Sequence, residues 1–133
     1  MTQQTLSFMQ TLGRNTKTAS RVLAHVSTAE KNQALEKIAC QIELEQAAIL
    51  AANVQDLADA KQSGMSEALQ DRLMLNEKRM QGIVADLRNV IHLPDPVGEV
   101  IETQDMPNGL KMRKQRVPMG VLGVIYESRP NVT

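Results

Sequence analysis

The feature that most constrains the fold is a change of hydrophobic periodicity at residues 94–98, where two prolines and a glycine fall within five positions. Before this point apolar side chains recur at a spacing of three or four residues, which predicts amphipathic helices. After it they alternate or run together, which predicts strands, and the proline and glycine cluster favours a turn. The sequence therefore predicts an α/β fold, with a helical layer over residues 1–98 and strands beyond it.

Within the helical layer, local signals predict where the helices begin and end. The expected helices cover residues 6–26, a stretch that begins near Ser27, residues 47–62, residues 66–73, and a stretch that follows Asn76. Ser27-Thr28-Ala29-Glu30 has the capping-box pattern, and Asn76 is a favourable N-cap. The helix over 47–62 either continues the one before it or breaks from it near Asn53, and Gly64 is a plausible left-handed stop.

A β-hairpin is predicted over residues 99–117. Strand-like runs at 100–104 and 110–117 bracket Asn108-Gly109, a pair typical of tight hairpin turns. Four cations stand in the second run, at Lys111, Arg113, Lys114 and Arg116. Because strand side chains alternate, Lys111 and Arg113 face one way and Lys114 and Arg116 the other. We therefore expect a solvated or oligomer-facing hairpin and not a phosphate-binding stripe.

Residues 118–133 are predicted to contain a first buried strand followed by an active-site loop. Residues 120–126 are apolar without alternation, which is typical of a strand buried on both faces of a mainly parallel sheet. Such a strand needs neighbouring strands and covering helices that this chain does not supply, so we expect a truncated cofactor-binding domain. Ligands of these sheets bind beyond the carboxyl ends of the strands, which points to residues 127–131.

Two alternatives remain open for this loop on residue pattern alone. Asn131 is either the N-cap of a following helix or a group that contacts substrate. Arg129 is either a solvated charge or a guanidinium fork that grips a carboxylate or a phosphate.

Composition excludes several classes of function. The chain carries 15 basic and 15 acidic residues and only 2% aromatic residues, which argues against a nucleic-acid partner. It has no apolar run long enough to span a membrane. Cys40 is the single cysteine, which favours a reducing compartment, the cytoplasm, and its helical spacing predicts a packed side chain. His25 and His92 lack metal-ligand spacing, so no metal site is expected.

The segment RVPMGVLGVIYESRPNVT at residues 116–133 carries a specific resemblance. Further matches follow the same order along the chain, at residues 30–32, 35–39, 49–53, 55–56, 71–73 and 93–98. Together these motifs resemble the gamma-glutamyl phosphate reductases, also called glutamate-5-semialdehyde dehydrogenases, within the aldehyde dehydrogenase superfamily. The resemblance covers nearly the whole chain and identifies it with the N-terminal portion of that family.

This resemblance implies an NADPH-dependent oxidoreductase of proline biosynthesis that reduces L-glutamate 5-phosphate to L-glutamate 5-semialdehyde. It also implies a longer homo-oligomeric protein with a hairpin oligomerisation arm and functional coupling to glutamate 5-kinase. The family's nucleophilic cysteine belongs to a region outside this chain, so Cys40 is not that residue. The chain alone is then expected to be inactive. The alternative is a non-catalytic interaction module made of helices and a hairpin.

The resemblance also assigns roles to the loop. Asn131 matches the superfamily asparagine whose amide holds the developing oxyanion. The residues implied on the cofactor side are Ile125, Tyr126, Ser128, Arg129 and Pro130. The spacing from Pro118 to Asn131 is longer than the common superfamily spacing, which makes Ile125 and Tyr126 the better-matched candidates.

Overall fold

The computed structural model describes residues 3–127 and 129–132 and contains, within them, five α-helices, one antiparallel hairpin and one 3₁₀ turn. In chain order these are α1 Gln3–Leu23, α2 Thr28–Leu44, α3 Gln46–Gln62, α4 Glu67–Leu73, α5 Glu77–Ile91, β1 Val100–Asp105, β2 Lys111–Gln115 and the turn Pro130–Val132. The chain divides into two compact units. One holds α1 and the hairpin, and the other holds α2 to α5 with the described residues from 124 onward.

Local signals set the helix ends largely as predicted. Asn76 accepts a hydrogen bond from the Arg79 backbone N–H at 2.9 Å and so caps α5. After α3, Gly64 adopts φ +77° and its N–H donates to the Lys61 carbonyl at 3.2 Å. The next N–H, of Met65, donates to the Ala60 carbonyl at 3.0 Å, which completes a Schellman stop.

The boundary between α2 and α3 matches neither of the two predicted alternatives, a continuous helix or a break near Asn53. The helices separate at Glu45, and Asn53 lies within α3 instead of at a break. Asn53 is buried, and its side-chain amide bonds to backbone groups of residues 73 and 75. The polar residue that suggested a helix end is thus a tertiary contact of a continuous helix.

Small and flexible side chains form the core of the helical unit. Ala39 of α2, Ala60 of α3, and Met80 and Val84 of α5 are its buried apolar residues. Alanines allow close approach of helix backbones, and methionine adapts its shape to the remaining space. Near the rim, the Asn32 amide donates to the Ile91 carbonyl at 3.2 Å, which satisfies an otherwise free acceptor at the end of α5.

An ion-pair cluster joins α5 to α2 at the surface of this unit. Arg88 donates to Glu36 Oε1 from Nε at 3.2 Å and Nη2 at 3.0 Å. It donates to the two carboxylate oxygens of Glu43 at 2.8 and 3.0 Å. Glu36 and Glu43 lie seven residues apart, which places them on one face of α2. The Arg88 hydrogen bonds lower the pKa of Glu36, and those from Glu43 and then Glu36 raise the pKa of Arg88.

Cys40 differs from its prediction as a packed side chain. It is exposed, and its Sγ lies 3.6 Å from Glu36 Oε1. The position four residues after Glu36 places the thiol beside the Glu36 carboxylate at the exposed edge of α2.

The hairpin forms where it is predicted, with a shorter second strand that ends at Gln115. The Met106 N–H donates to the Leu110 carbonyl at 2.8 Å, and the Gly109 N–H donates to the Met106 carbonyl at 2.9 Å. Gly109 has φ +84°, the conformation for which the Asn-Gly pair is favoured. The pairing shifts register between Val100 and Glu102.

Acidic residues accompany most of the hairpin cations. Lys111 is paired across the strands with Asp105, and Lys114 with Glu102. Beyond the strands, Arg116 Nε lies 2.7 Å from a carboxylate oxygen of Glu99. Opposite charges at facing positions stabilise a strand pair modestly, and here they leave no uncompensated basic stripe.

Residues 120–126 differ from the prediction of a buried strand. Within the described part of the chain they pair with no strand, and their large apolar side chains are exposed, Ile125 fully so. The prediction assumes that these residues form a central strand of a sheet. A central strand is buried only by neighbouring strands on its sides and helices on its faces, and the described residues include no such neighbours.

The ion-pair cluster predicts a pH-dependent contribution to stability. The pKa of Glu36 is lowered in the folded chain from an ordinary value of 4.5, so ionised Glu36 favours folding. This contribution is fully present above pH 4.5 and is lost as the pH falls through the lowered pKa. Glu36→Gln should therefore lower the midpoint of thermal unfolding at neutral pH, and should have little effect once acid has protonated Glu36 in the parent.

Circular dichroism melts of the parent and the variant, from about pH 7 to about pH 3, measure this difference. Asp56→Asn is the matched control, since Asp56 is an exposed helical carboxylate without an ion pair to any described residue. A destabilisation by Glu36→Gln that is equal at both pH values contradicts the prediction.

Candidate active-site cleft

The described end of the chain lies on a cleft in the helical unit. This cleft has a volume of about 640 Å³ and is lined by residues 129–132 together with side chains from α2, α4, α5 and the connection between α4 and α5. The helical contribution is mostly apolar and includes Ile38, Ile42, Ile83, Leu87 and Val90. Polar groups enter from α4, from α5 and from residues 129–132.

The structure brings three of the six predicted site residues onto this cleft. Arg129, Pro130 and Asn131 all line it, and the Val132 N–H donates to the Arg129 carbonyl at 3.1 Å to close the 3₁₀ turn. Ile125 and Tyr126 are exposed and do not line it. Ser128 lies outside the described residues.

Asn131 occupies a position suited to contact with a bound molecule. Its side chain is exposed and makes no hydrogen bond to any residue that the structure describes. The turn that contains it spans three residues only, so within the described chain Asn131 caps no α-helix. Its amide is therefore available as a hydrogen-bond donor at the cleft.

Guanidinium groups contribute the positive charge of the cleft. Arg72 and Arg129 line it, and neither forms an ion pair with a described residue. Arg79 also lines it but is engaged with Asp71, its Nη2 lying 2.9 Å from the carboxylate. Free guanidinium groups beside an apolar floor can hold a carboxylate or phosphate of a small molecule. Asp86 adds an acidic group to the lining.

The sequence interpretation missed two residues that hold the chain between α4 and α5. Asn53 donates from Nδ2 to the Leu73 carbonyl at 2.9 Å and accepts from the Leu75 N–H at 2.6 Å. Arg79 donates from Nη1 to the Met74 carbonyl at 2.7 Å and to the Asp71 carbonyl. Both lie near matched motifs, at residues 49–53 and 71–73, and an asparagine at the end of an apolar helical run was the signal that could have indicated Asn53.

No group of three or more histidine, cysteine or acidic side chains in the described residues lies close enough together to hold a metal ion. None of the helices found there combines the length and apolar character needed to cross a membrane.

Comparison with known proteins finds relatives of one kind. No family profile matches the chain. Over 94% of its length it is 56% identical to the gamma-glutamyl phosphate reductase of Pectobacterium carotovorum, and over 92% it is 54% identical to that of Vibrio cholerae. The chain is similar to gamma-glutamyl phosphate reductases. It spans about 30% of the length of these curated relatives.

Solved structures agree with the sequence comparison. The chain matches the gamma-glutamyl phosphate reductase of Thermotoga maritima with a TM-score of 0.86 at 44% identity, over 90% of this chain and 29% of that one. It matches the Saccharomyces cerevisiae reductase with a TM-score of 0.88 at 34% identity, over 92% and 31%. The resemblance predicted from the motifs is confirmed, as is a partial α/β domain with its helical layer and hairpin.

The exposed amide of Asn131 predicts that it contributes little to folding. We expect Asn131→Ala to change the free energy of unfolding of the chain by less than about 0.5 kcal/mol, as is usual for surface substitutions. Asn76→Ala is the matched control, because it removes an observed N-cap and should cost about 1 kcal/mol. Urea unfolding measures both values, and an equal loss in the two variants supports the capping alternative for Asn131.

Proposed function

We propose that this chain supplies the N-terminal part of an NADPH-dependent gamma-glutamyl phosphate reductase, which converts L-glutamate 5-phosphate to L-glutamate 5-semialdehyde in proline biosynthesis. The observation that carries the proposal is 56% identity over 94% of the chain to a reductase of that name. The superposition at a TM-score of 0.86 also supports it.

In this proposal Asn131 is the catalytic residue of the chain. Reduction of an acyl phosphate through a thiol ester creates negative charge on the carbonyl oxygen, first when the thiolate displaces phosphate and again when hydride adds. An amide N–H that is already in place stabilises this charge, by about 3 kcal/mol in comparable sites. Asn131 lines the cleft, and its side chain makes no hydrogen bond to the described chain that would have to break first.

The groups present also fit one side of a nicotinamide cofactor, which supplies the hydride when bound. Arg129 offers a guanidinium that can pair with a phosphate, and Ile125 exposes a large apolar side chain. We propose that these residues, with Tyr126, Ser128 and Pro130, lie along the cofactor in the whole enzyme. The exposure of Ile125 and Tyr126 agrees with this assignment, since both side chains are accessible to a bound molecule.

We propose further that the nucleophilic cysteine comes from another part of the whole enzyme. Cys40 is the single cysteine of the chain, and it lies on α2 beside Glu36 without lining the cleft. The unpaired thiol also supports a cytoplasmic location. Coupling to glutamate 5-kinase is proposed on the same family resemblance, since a kinase must supply the acyl phosphate.

A chimaeric enzyme tests the function directly. The matched segment of the Pectobacterium carotovorum reductase is replaced by this chain, and NADPH formation is followed during phosphate-dependent oxidation of L-glutamate 5-semialdehyde. We expect the chimaera to be active and Asn131→Ala to lower kcat by about 10²- to 10³-fold, with NADPH affinity nearly unchanged, because an oxyanion donor acts in the transition state.

Two controls accompany this assay. The isolated chain should show no turnover, since it lacks the nucleophile. Turnover by the isolated chain that Cys40→Ser abolishes would overturn the proposal, and so would a chimaera in which Asn131→Ala retains full kcat.

We also propose that the hairpin lies at a subunit contact of a homo-oligomer. A two-stranded hairpin is marginal alone and needs a partner surface, and Leu110 and Met112 are exposed on it. Charged substitutions at both positions should reduce the oligomeric mass of the chimaera in sedimentation. Leu44→Asp is the control, since Leu44 is equally apolar and exposed but lies at the end of α2.

Neutralising Lys111, Arg113, Lys114 and Arg116 together tests the opposite possibility. We expect no change in affinity for DNA, because most of these cations have acidic neighbours. A salt-sensitive DNA affinity that the neutralised variant loses, combined with an unchanged oligomeric mass for the apolar variant, contradicts the assembly proposal.

A further inference from the structure

Asn53 stands out in the helical unit because it is the one buried polar side chain among the described residues, with 4% of its surface exposed. A buried amide is costly unless its donor and acceptor are both used. Here both are used on the same short segment, at the Leu73 carbonyl and the Leu75 N–H. The amide therefore substitutes for a backbone partner and fixes where this segment runs.

That segment, residues 71–75, is here called the link. It consists of the end of α4 and the first two residues of the connection to α5. Arg79 holds it a second time, through the carbonyls of Asp71 and Met74 and the Asp71 carboxylate. Asn53 belongs to α3 and Arg79 to α5, so two different helices bind one short stretch of chain. Hydrogen bonds at this density fix a segment that lacks regular structure between Leu73 and Glu77.

The link is also part of the cleft wall. Asp71, Arg72, Met74 and Leu75 all line the same cleft as Arg129, Pro130 and Asn131. The position of the link therefore determines the surface available to residues 129–132. A shift of the link would change both the shape of the cleft and the place where the Asn131 amide rests.

We propose that Asn53 is a positioning residue: through the link, and together with Arg79, it sets the location of the Asn131 segment on the helical unit. Its effect on placement is a property of this chain. Its effect on catalysis rests on the proposed reductase function. Neither residue is hydrogen-bonded to Asn131, so in this proposal both act through the link.

The chain contains a natural reporter for this placement. Tyr126 is the single tyrosine and there is no tryptophan, so ultraviolet fluorescence of the chain reports on the segment that leads into residues 129–132. Asn53→Asp preserves the shape and the acceptor for Leu75 but places an oxygen against the Leu73 carbonyl. Arg79→Lys preserves the charge but loses the planar fork. Both variants should increase quenching of Tyr126 by acrylamide and lower its anisotropy, while far-ultraviolet circular dichroism shows the helices retained.

Gln55→Ala is the matched control on the same helix. Its amide donates to Asp59 at 2.9 Å on the exposed face of α3 and does not reach the link. The control should leave Tyr126 quenching unchanged. Asn53→Ala serves as the stronger variant, and if it fails to fold, Asn53→Asp and Arg79→Lys still decide the outcome.

The chimaeric enzyme gives the catalytic readout. Misplacement of a catalytic group by about 1 Å can reduce a rate as much as a hundredfold, so we expect Asn53→Asp and Arg79→Lys to lower kcat by about tenfold to a hundredfold with KM nearly unchanged. Arg79→Lys and Asn53→Asp should act similarly because they disturb the same link, and Gln55→Ala should have no effect.

The outcomes separate the two proposals. If the parent chimaera is inactive, the proposed function fails, and Tyr126 quenching still decides the placement. If the variants lower only the unfolding temperature and leave quenching and kcat at parent values, Asn53 has a purely structural role and the positioning proposal is overturned.

Discussion

The helical unit depends on one polar contact made inside an apolar core. Burial of Ala39, Ala60, Met80 and Val84 favours compaction but is not directional, so it does not by itself choose one arrangement of the helices. The hydrogen bonds of Asn53 are directional and are satisfied in one placement of the link only. Because an unsatisfied buried amide costs about 1–3 kcal/mol, arrangements that displace the link are disfavoured. The start of α5 and one wall of the cleft follow from this contact.

Ion pairs at the surface of the helical unit act in addition to the hydrogen bonds of Asn53. Arg88 reaches two carboxylates of α2 from α5, and all three side chains remain partly exposed, so solvent screens their attraction. Their value lies in alignment: Glu36 and Glu43 are two turns apart on α2, and a single guanidinium meets both only when the helices lie in register. Cys40 follows Glu36 by four residues on α2, so its thiol lies beside the Glu36 carboxylate.

The sequence predicts features that depend on a few neighbouring residues, and it does not predict features that depend on contacts between residues far apart in the chain. The Asn76 cap, the Gly64 stop and the Asn108-Gly109 turn are decided by a few neighbouring residues, and each forms where its pattern predicts. A break near Asn53 is one of the two alternatives that the sequence leaves open, because the partners of Asn53 lie 20 and 22 residues further along the chain and leave no local pattern. The strand predicted at 120–126 failed to form for a related reason, since its apolar pattern describes a sheet whose other strands the described chain does not contain.

In the candidate site, too, local patterns are predicted and contacts between distant residues are not. The motif at residues 116–133 indicated the loop, and the structure places Arg129, Pro130 and Asn131 together on one cleft, yet no pattern in the loop indicates the helices that support it. Residues 71–75, far away in sequence, line the same cleft and are themselves held by Asn53 and Arg79. An oxyanion donor is effective only if its position is set before the charge develops, because reorganisation during the reaction would consume the stabilisation that it provides. Under the proposed function, a packed helical unit that carries residues 129–132 would set the position of the Asn131 amide before the charge develops.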